Sequence, residues 1–339
     1  MKVLCLGPMW RGSNAGAMFK SFSRNGCLIS IVDECYHIPL KTKSTISKIV
    51  GKLFRNQFIA SFNQSVISEF NLFKPDLVLV YKGAFVDPKT IETMQQDSNV
   101  VCFYPDVSFH THGGLLQKNL PLYHKVFTTK TFGVLDMKKQ LGQNNGVFIP
   151  HGFDPEIHKE HSISSDIKKQ FECDASFIGT WSPHKEKYLK HLVQSIPNID
   201  LKIWGGQWEK SKGLSKYTMN STVNGDLYAI AIQCSKINIA LLSEKVVGAS
   251  EGDHITSRTF HIPAVGGFML HQHSSEIGNY FSIGKEIDTF CDLNDFVNKI
   301  SLYLTDEKKR KSMQAAARIN AVSNHSLDNR VKEILKVVQ

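Results

Sequence analysis

The sequence predicts an α/β protein with two doubly wound, Rossmann-like domains in tandem. Two observations carry this. Short β-branched apolar runs alternate with helical stretches along the chain, the pattern of a parallel sheet with crossover helices. The alternation then lapses once, in the polar stretch Glu156 to Phe171, and restarts, which marks a linker and a second domain. With 339 residues, 42% of them apolar and 10% aromatic, there is ample material for two cores, so disordered and disulfide-rich mini-protein classes are excluded.

In order, residues 2 to 7 form a strand broken by Gly7-Pro8, followed by the turn Arg11-Gly12-Ser13-Asn14-Ala15-Gly16 and a helix through Phe19 and Phe22 to Gly26. Further strands are expected at Ile29 to Val32, Pro75 to Val80, Asn99 to Tyr104, Lys125 to Thr128 and Val147 to Ile149. The second domain should hold strands Ala175 to Gly179, Leu201 to Trp204, Ile237 to Leu242, Phe268 to His271 and Ile287 to Phe290, with helices over Leu293 to Tyr303 and Glu307 to Val322. This gives a domain over 1–155, a second over 172–322, and a terminal helix over 323–339. No short repeat or low-complexity segment interrupts the pattern.

Charge is unevenly placed. Residues 1–150 hold 17 Lys and Arg against 9 Asp and Glu, whereas 151–339 hold 23 against 22. The first half therefore suits an anionic partner such as headgroups, phosphates or nucleic acid, or simply carries a basic surface. Between Ser44 and Phe62, Ile46, Ile49, Val50, Leu53 and Phe54 recur at helical spacing with Lys48, Lys52 and Arg55 off the stripe. Such a helix either packs its stripe on the core or lies in an anionic membrane interface. No apolar run approaches the roughly 20 residues of a bilayer span, and the N-terminus lacks a signal-peptide pattern. The seven cysteines are scattered without C-x-x-C or zinc spacing, which points to a reduced, cytoplasmic protein with no metal, peripheral to the inner membrane face if the cationic stripe is used.

The sharpest motif is the run Asp253 to Phe268, with Arg258-Thr259-Phe260-His261-Ile262-Pro263-Ala264-Val265-Gly266-Gly267 at its centre, then Gly284-Lys285-Glu286. With it go Phe177-Ile178-Gly179-Thr180-Trp181, His184-Lys185 and Ile203-Trp204-Gly205-Gly206. These resemble the C-terminal half of nucleotide-sugar glycosyltransferases of the GT-B type, nearest to the CgeB-like, spore-maturation-type group. Tyr104-Pro105-Asp106, Val126 to Lys130 and Ile149 to Pro155 look like that group's N-terminal half, so the resemblance covers nearly the whole chain.

The resemblance implies a GT-B fold, two Rossmann-like domains facing a central cleft, and transfer of a sugar from a nucleotide-sugar of UDP type, a substrate rather than a cofactor. The diphosphate leaving group needs fixed cations and N–H donors in a metal-free site. Arg258, at the opening of a helix near Ser257, is the expected phosphate ligand, with Lys185 beside it. The alternatives are an interdomain salt bridge for Arg258 and an exposed surface lysine for Lys185. Thr180, Trp204, Gly205, Thr259 and His261 complete the expected donor set, the loop after Trp204 lying with Asn224 to Tyr228 against the base, and a buried tryptophan in a tight turn being the plainer reading. His261 departs from the group's signature, which has Glu there, and Met269 replaces a second acidic position. Gly12 is placed in the loop approaching donor phosphate or acceptor, although a plain turn fits equally. Asp106 and His110 are the expected catalytic residues, as general base or substrate-orienting groups.

The function expected is therefore glycosyl transfer to a surface-glycan or lipid-linked acceptor. Two alternatives remain open on the sequence: DNA as acceptor, in the manner of phage base glycosyltransferases, for which the basic first half would track phosphates, and a catalytically degenerate nucleotide-sugar binder, suggested by His261.

Overall fold

The computed structural model describes residues 1–38 and 53–339. Two compact units emerge, the first formed by residues 1–150, 245–251 and 327–339, the second by 151–244 and 252–326.

The first unit is built on six parallel strands, β1 (Lys2–Gly7), β2 (Leu28–Asp33), β3 (Leu77–Tyr81), β4 (Asn99–Tyr104), β5 (Lys125–Thr128) and β6 (Gly146–Phe148), in the order β2-β1-β3-β4-β5-β6. All six lie within two residues of the runs that predict them. The period-2 alternation of side chains divides each strand between two cores. Leu4, Leu6, Val78, Val80, Val100 and Cys102 face one side, packed on Phe62, Val66 and Phe70 of helix Arg55–Phe73. Val3, Cys5, Leu77, Leu79, Val101 and Phe103 face the other, on Met18, Phe19 and Phe22 of helix α1 (Asn14–Arg24) and on Leu327, Val331 and Ile334 of the terminal helix Leu327–Val338. An Arg24–Asp328 ion pair at 2.8 Å and a Ser21 hydroxyl donating to Asp328 at 2.6 Å pin these two helices.

The segment 245–251 lies in the first unit although it sits in the sequence between elements of the second. The Ser108 hydroxyl donates to the Val247 carbonyl at 2.7 Å, and the Asp136 carboxylate accepts from the Ser250 amide at 2.8 Å.

Of the amphipathic stripe, residues 44–52 lie outside the described residues. Leu53 and Phe54 are exposed, and from Phe58 onward the helix packs on the core. Among the described residues no helix is long and apolar enough to cross a membrane.

The second unit has five parallel strands, β7 (Cys173–Ile178), β8 (Leu201–Trp204), β9 (Ser235–Ala240), β10 (Met269–Gln272) and β11 (Asp288–Phe290), ordered β11-β10-β9-β7-β8. Phe177, Leu201, Ile203, Ile237, Ile239 and Leu270 pack on Leu189 and Leu192 of helix Pro183–Ser195 and on Phe296 and Ile300 of helix Leu293–Thr305. The stretch expected as a linker is structured within this unit: Ser165–Phe171 is a helix capped by Ser164, and Phe171 stacks on Trp204 with ring centroids 5.9 Å apart. Polar composition there reflects a surface helix rather than a tether.

Ile334 is fully buried, whereas Val337 on the same helix is 39% exposed. Ile334→Ala should therefore cost about 2–5 kcal/mol in equilibrium denaturation and Val337→Ala well under 1. Equal effects would contradict the packing of the terminal helix on this sheet.

Candidate functional site

In each sheet the strand order reverses direction once, between β1 and β3 in the first unit and between β7 and β9 in the second. Open parallel sheets bind ligands outside the carboxyl ends of the strands at this switch point. The chemistry-bearing residues fall there in both units.

In the second unit Arg258 spans the switch point. The helix Ser257–Val265 begins beside the ends of β7 and β9, so a residue in its first turn reaches both. The guanidinium donates to the carbonyl of Ile178 at 3.4 Å and of Leu241 at 2.6 Å, and lies 5.4 Å from the centroid of the Phe177 ring. Its Nε is buried with no hydrogen-bond partner. Lys185, in the first turn of helix Pro183–Ser195, is 6% exposed and donates from Nζ to the Thr180 carbonyl at 3.2 Å. Burial, then the Arg258 charge, push its amine down to about 8, against the smaller opposing pull of Asp253 and Glu244. Burial also lowers Arg258 from its ordinary value. Neither side chain forms a carboxylate ion pair among the described residues. Lys185 is buried and Arg258 half-buried, Asp253 offsets only part of either charge, and an anion would relieve the remaining cost. Arg258 makes no salt bridge within its unit, and Lys185 is buried rather than an exposed surface lysine.

The remaining expected donor residues divide sharply. Gly205 has φ +136°, and a Cβ there would stand 2.1 Å from the Gly179 carbonyl oxygen, so only glycine permits this close approach of the loops after β7 and β8. Thr180 is exposed beside it, its carbonyl occupied by Lys185. Trp204 is 2% exposed and packed among Val223, Ala231 and Phe171, so its indole is a core group. Thr259 is fully buried as well: its hydroxyl accepts from the Thr256 amide at 3.0 Å and meets His271 Nε2 at 3.0 Å, closing the start of the helix.

His261 also turns inward. Its Nε2–H donates to the Gly152 carbonyl at 3.2 Å, and its ring stacks on His158 with centroids 3.8 Å apart, Tyr228 standing edge-on to both. Burial pushes His261 down to about 3 and holds His158 well below the ordinary histidine range, so both are neutral. The imidazole where the resemblance expects a ligand-facing Glu is spent on packing.

In the first unit the switch point gathers residues that the sequence reading only half identified. The Asp106 carboxylate accepts from Lys82 Nζ at 2.7 Å and from His112 Nε2 at 2.6 Å. Burial opposes its charge, but the His112 hydrogen bond and the Lys82 ammonium outweigh burial and hold the carboxyl well below the usual range. His112, and not His110, is thus its partner. His110 bonds Gln140 Oε1 at 3.1 Å and Gln117 Nε2 at 2.8 Å, and packs against Gly248. Both of its ring nitrogens are used, which fits a structural role. Gly12, at φ +88°, shapes the turn before α1, where Ser13 caps the helix by accepting from the Gly16 amide at 3.0 Å. Sequence reasoning missed Lys82, whose φ of +66° is rare for a residue with a side chain, and Glu34, at the end of β2. No local motif announces either; the strand order brings them to this edge.

Residues 184–336 match the Glycosyl transferase-like family model (Glyco_trans_1_2), the segment that contains Lys185, Gly205 and Arg258. No curated protein matches the sequence. Among solved structures, the sucrose-phosphate synthase of Thermosynechococcus elongatus is similar over 99% of this chain and 98% of its own, with TM-score 0.69 and 11% identity. A glycosyltransferase from Rickettsia africae is similar over 99% and 97%, with TM-score 0.67 and 11% identity. Alr3699/HepE of Anabaena, solved in complex with UDP and glucose, is similar over 99% of both chains, with TM-score 0.64 and 13% identity. The fold is therefore GT-B, with two Rossmann-like parallel-sheet units, and its second unit carries a glycosyl transferase-like domain.

The neutral histidines make acid stability a test of this packing. Their folded values lie below the unfolded value of about 6.5, so the unfolded chain binds more protons and stability is lost as pH falls below about 6.5, by up to about 1.4 kcal/mol per pH unit for each histidine. In urea denaturation between pH 6.5 and 4, His261→Phe should flatten this slope by about one histidine's share. An unchanged slope would show that His261 is not buried and neutral.

Proposed function

We propose that the protein is a glycosyltransferase that takes a sugar from a nucleotide-sugar of UDP type and passes it to a hydroxyl of a glycan or lipid-linked acceptor. The observation that carries this reading is the Arg258–Lys185 pair, a half-buried and a buried cation at a strand-end switch point, neither in an ion pair among the described residues. A diphosphate fits such a pair: one oxygen set takes the guanidinium fork, the other the ammonium, and the charge released when the glycosyl bond breaks is stabilised in place. The match of residues 184–336 and the UDP complex of HepE, a protein of the same fold, support the donor class. The signature run from Arg258 to Gly267 supports placement in the CgeB-like group, and the basic first half supports an anionic, phosphate-bearing acceptor, with stretch 44–62 able to meet a membrane surface.

Isothermal calorimetry with UDP, and UDP release from a panel of UDP-sugars with acceptor extracts, test the reading directly. Arg258→Ala should weaken UDP binding by about 1–3 kcal/mol, with near-ultraviolet circular dichroism confirming the fold. Unchanged affinity would remove Arg258 from the site, and absence of any nucleotide binding by the native protein would overturn the reading.

The lowered Lys185 amine adds a pH signature. The free protein loses this charge as pH rises through about 8, so UDP affinity should fall above that pH and binding should take up a proton. Lys185→Met should bind more weakly at pH 7 and lose this alkaline limb; a variant that keeps it would exclude Lys185 as the source.

A second reading is favoured by one observation. His261 is turned into the core where the group's signature has Glu, which suits a protein that binds the donor without turning it over. Normal UDP-sugar binding with no transfer to any acceptor would support it.

A further inference from the structure

We propose that Gln272 is a third ligand of the diphosphate beside Arg258 and Lys185, donating from its side-chain amide to a phosphoryl oxygen. This rests on the glycosyltransferase reading and adds to it a neutral residue that the family resemblance does not single out.

The sheet sets its position. Strand β9 ends at Ala240, which pairs with His271 of β10, and the chain then turns away, so the Leu242 amide has no ladder partner. The Gln272 side chain takes that place: its Oε1 accepts from the Leu242 amide at 3.2 Å. Side chains alternate along β10, so Gln272 shares the face of Leu270, the face on which helix Pro183–Ser195 packs. It therefore meets the first turn of that helix, where the same Oε1 accepts from His184 Nε2–H at 3.1 Å. Both contacts stand one residue from the phosphate site. Leu241 holds the Arg258 guanidinium on its carbonyl at 2.6 Å, and Lys185 follows His184. Gln272 thus joins the turn that holds one cation to the turn that carries the other.

These two bonds also fix which way the amide faces. A backbone N–H can only donate, so the Gln272 atom facing Leu242 is the oxygen and not the nitrogen. With the oxygen placed, the His184 nitrogen that faces it must carry a proton, which makes the neutral ring the Nε2–H tautomer. Two donors fill the two lone pairs of Oε1, while the NH2 group donates to nothing among the described residues. Gln272 is only half-buried, so both of its N–H groups are left for a ligand.

A group that can only donate matches an oxygen that can only accept. The oxygens of a diphosphate are of that kind, whereas a sugar hydroxyl brings a proton of its own. Neutrality matters as well: the Arg258 charge already disfavours the charge on Lys185, and a third cation would add to that repulsion. An amide contributes a hydrogen bond to the anion without it.

The test uses the full chain, UDP and two variants. Gln272→Met removes the amide at similar volume and should weaken UDP binding on the order of 10-fold in calorimetry. Gln272→Glu keeps an oxygen for Leu242 and His184 but loses the donor, and it should weaken UDP at least as much. Native-like affinity in Gln272→Glu would show that Gln272 serves only to hold the two turns. Thermal melts within a few degrees of the native protein establish that the variants fold. A spectroscopic readout needs only the native chain to bind. With glutamine labelled with nitrogen-15, the side-chain NH2 pair missing from either variant should shift one proton downfield when UDP is added. The nitrogen shifts of His184 at alkaline pH should report the Nε2–H tautomer. If native protein binds UDP but Gln272→Met or Gln272→Glu binds it equally well, or the NH2 pair does not move, or His184 is the other tautomer, the assignment is overturned while the glycosyltransferase reading stands. If the native protein does not bind UDP, both fall.

Discussion

The constraint on which the rest depends is that both sheets are wholly parallel. A parallel strand must be followed by a crossover to the same end of the sheet, so all the turns that follow strands collect along one edge. When successive crossovers run first to one side and then to the other, adjacent turns part at a single place and leave room for a ligand. Here that place is flanked by β1 and β3 in one unit and by β7 and β9 in the other. Arg258, Lys185, Gly205, Lys82, Glu34 and Asp106 come from six separate stretches of chain, and the topology alone assigns each to one of these two edges.

The two edges solve the electrostatic problem in opposite ways. At the second, Arg258 and Lys185 are bonded to backbone carbonyls, Arg258 lies over the Phe177 ring, and Asp253 offsets part of both charges. Those neutral partners offset part of the desolvation cost and fix the geometry, yet they leave the net charge for a ligand to meet. At the first, Lys82 and His112 both meet Asp106, and the charge is satisfied locally.

The strands were legible because parallel strands buried on both faces must be apolar throughout, as Leu77–Tyr81 is, and no other short element needs such a run. Arg258, Lys185 and Gly205 were legible through the resemblance, since each sits in a recognisable run. Side-chain direction was not. Trp204 and His261 occupy runs that resemble ligand-binding segments, but whether a ring points to a ligand or to the core depends on Phe171 and His158, which come from the stretch that reads as a linker. Lys82 and Glu34 escaped for a related reason: each is a single polar residue at a strand end, and its neighbours are 20 or more positions away in sequence.

His261 departs from the signature that its run resembles, yet its packing leaves the strand-end edge beside Arg258 in place. A carboxylate at that position, facing inward, would have to be buried against a neutral histidine and the Gly152 carbonyl, with the Arg258 guanidinium already bonded to the Ile178 and Leu241 carbonyls, and would cost several kcal/mol. A neutral imidazole instead donates to that carbonyl and stacks on His158. The substitution therefore suits the inward rotamer, three residues after Arg258 in the same helix, and leaves the Arg258 bonds to Ile178 and Leu241 intact. On the proposed donor binding, any cost of having His261 should therefore fall on the choice of sugar and the rate of its transfer more than on the grip on the nucleotide.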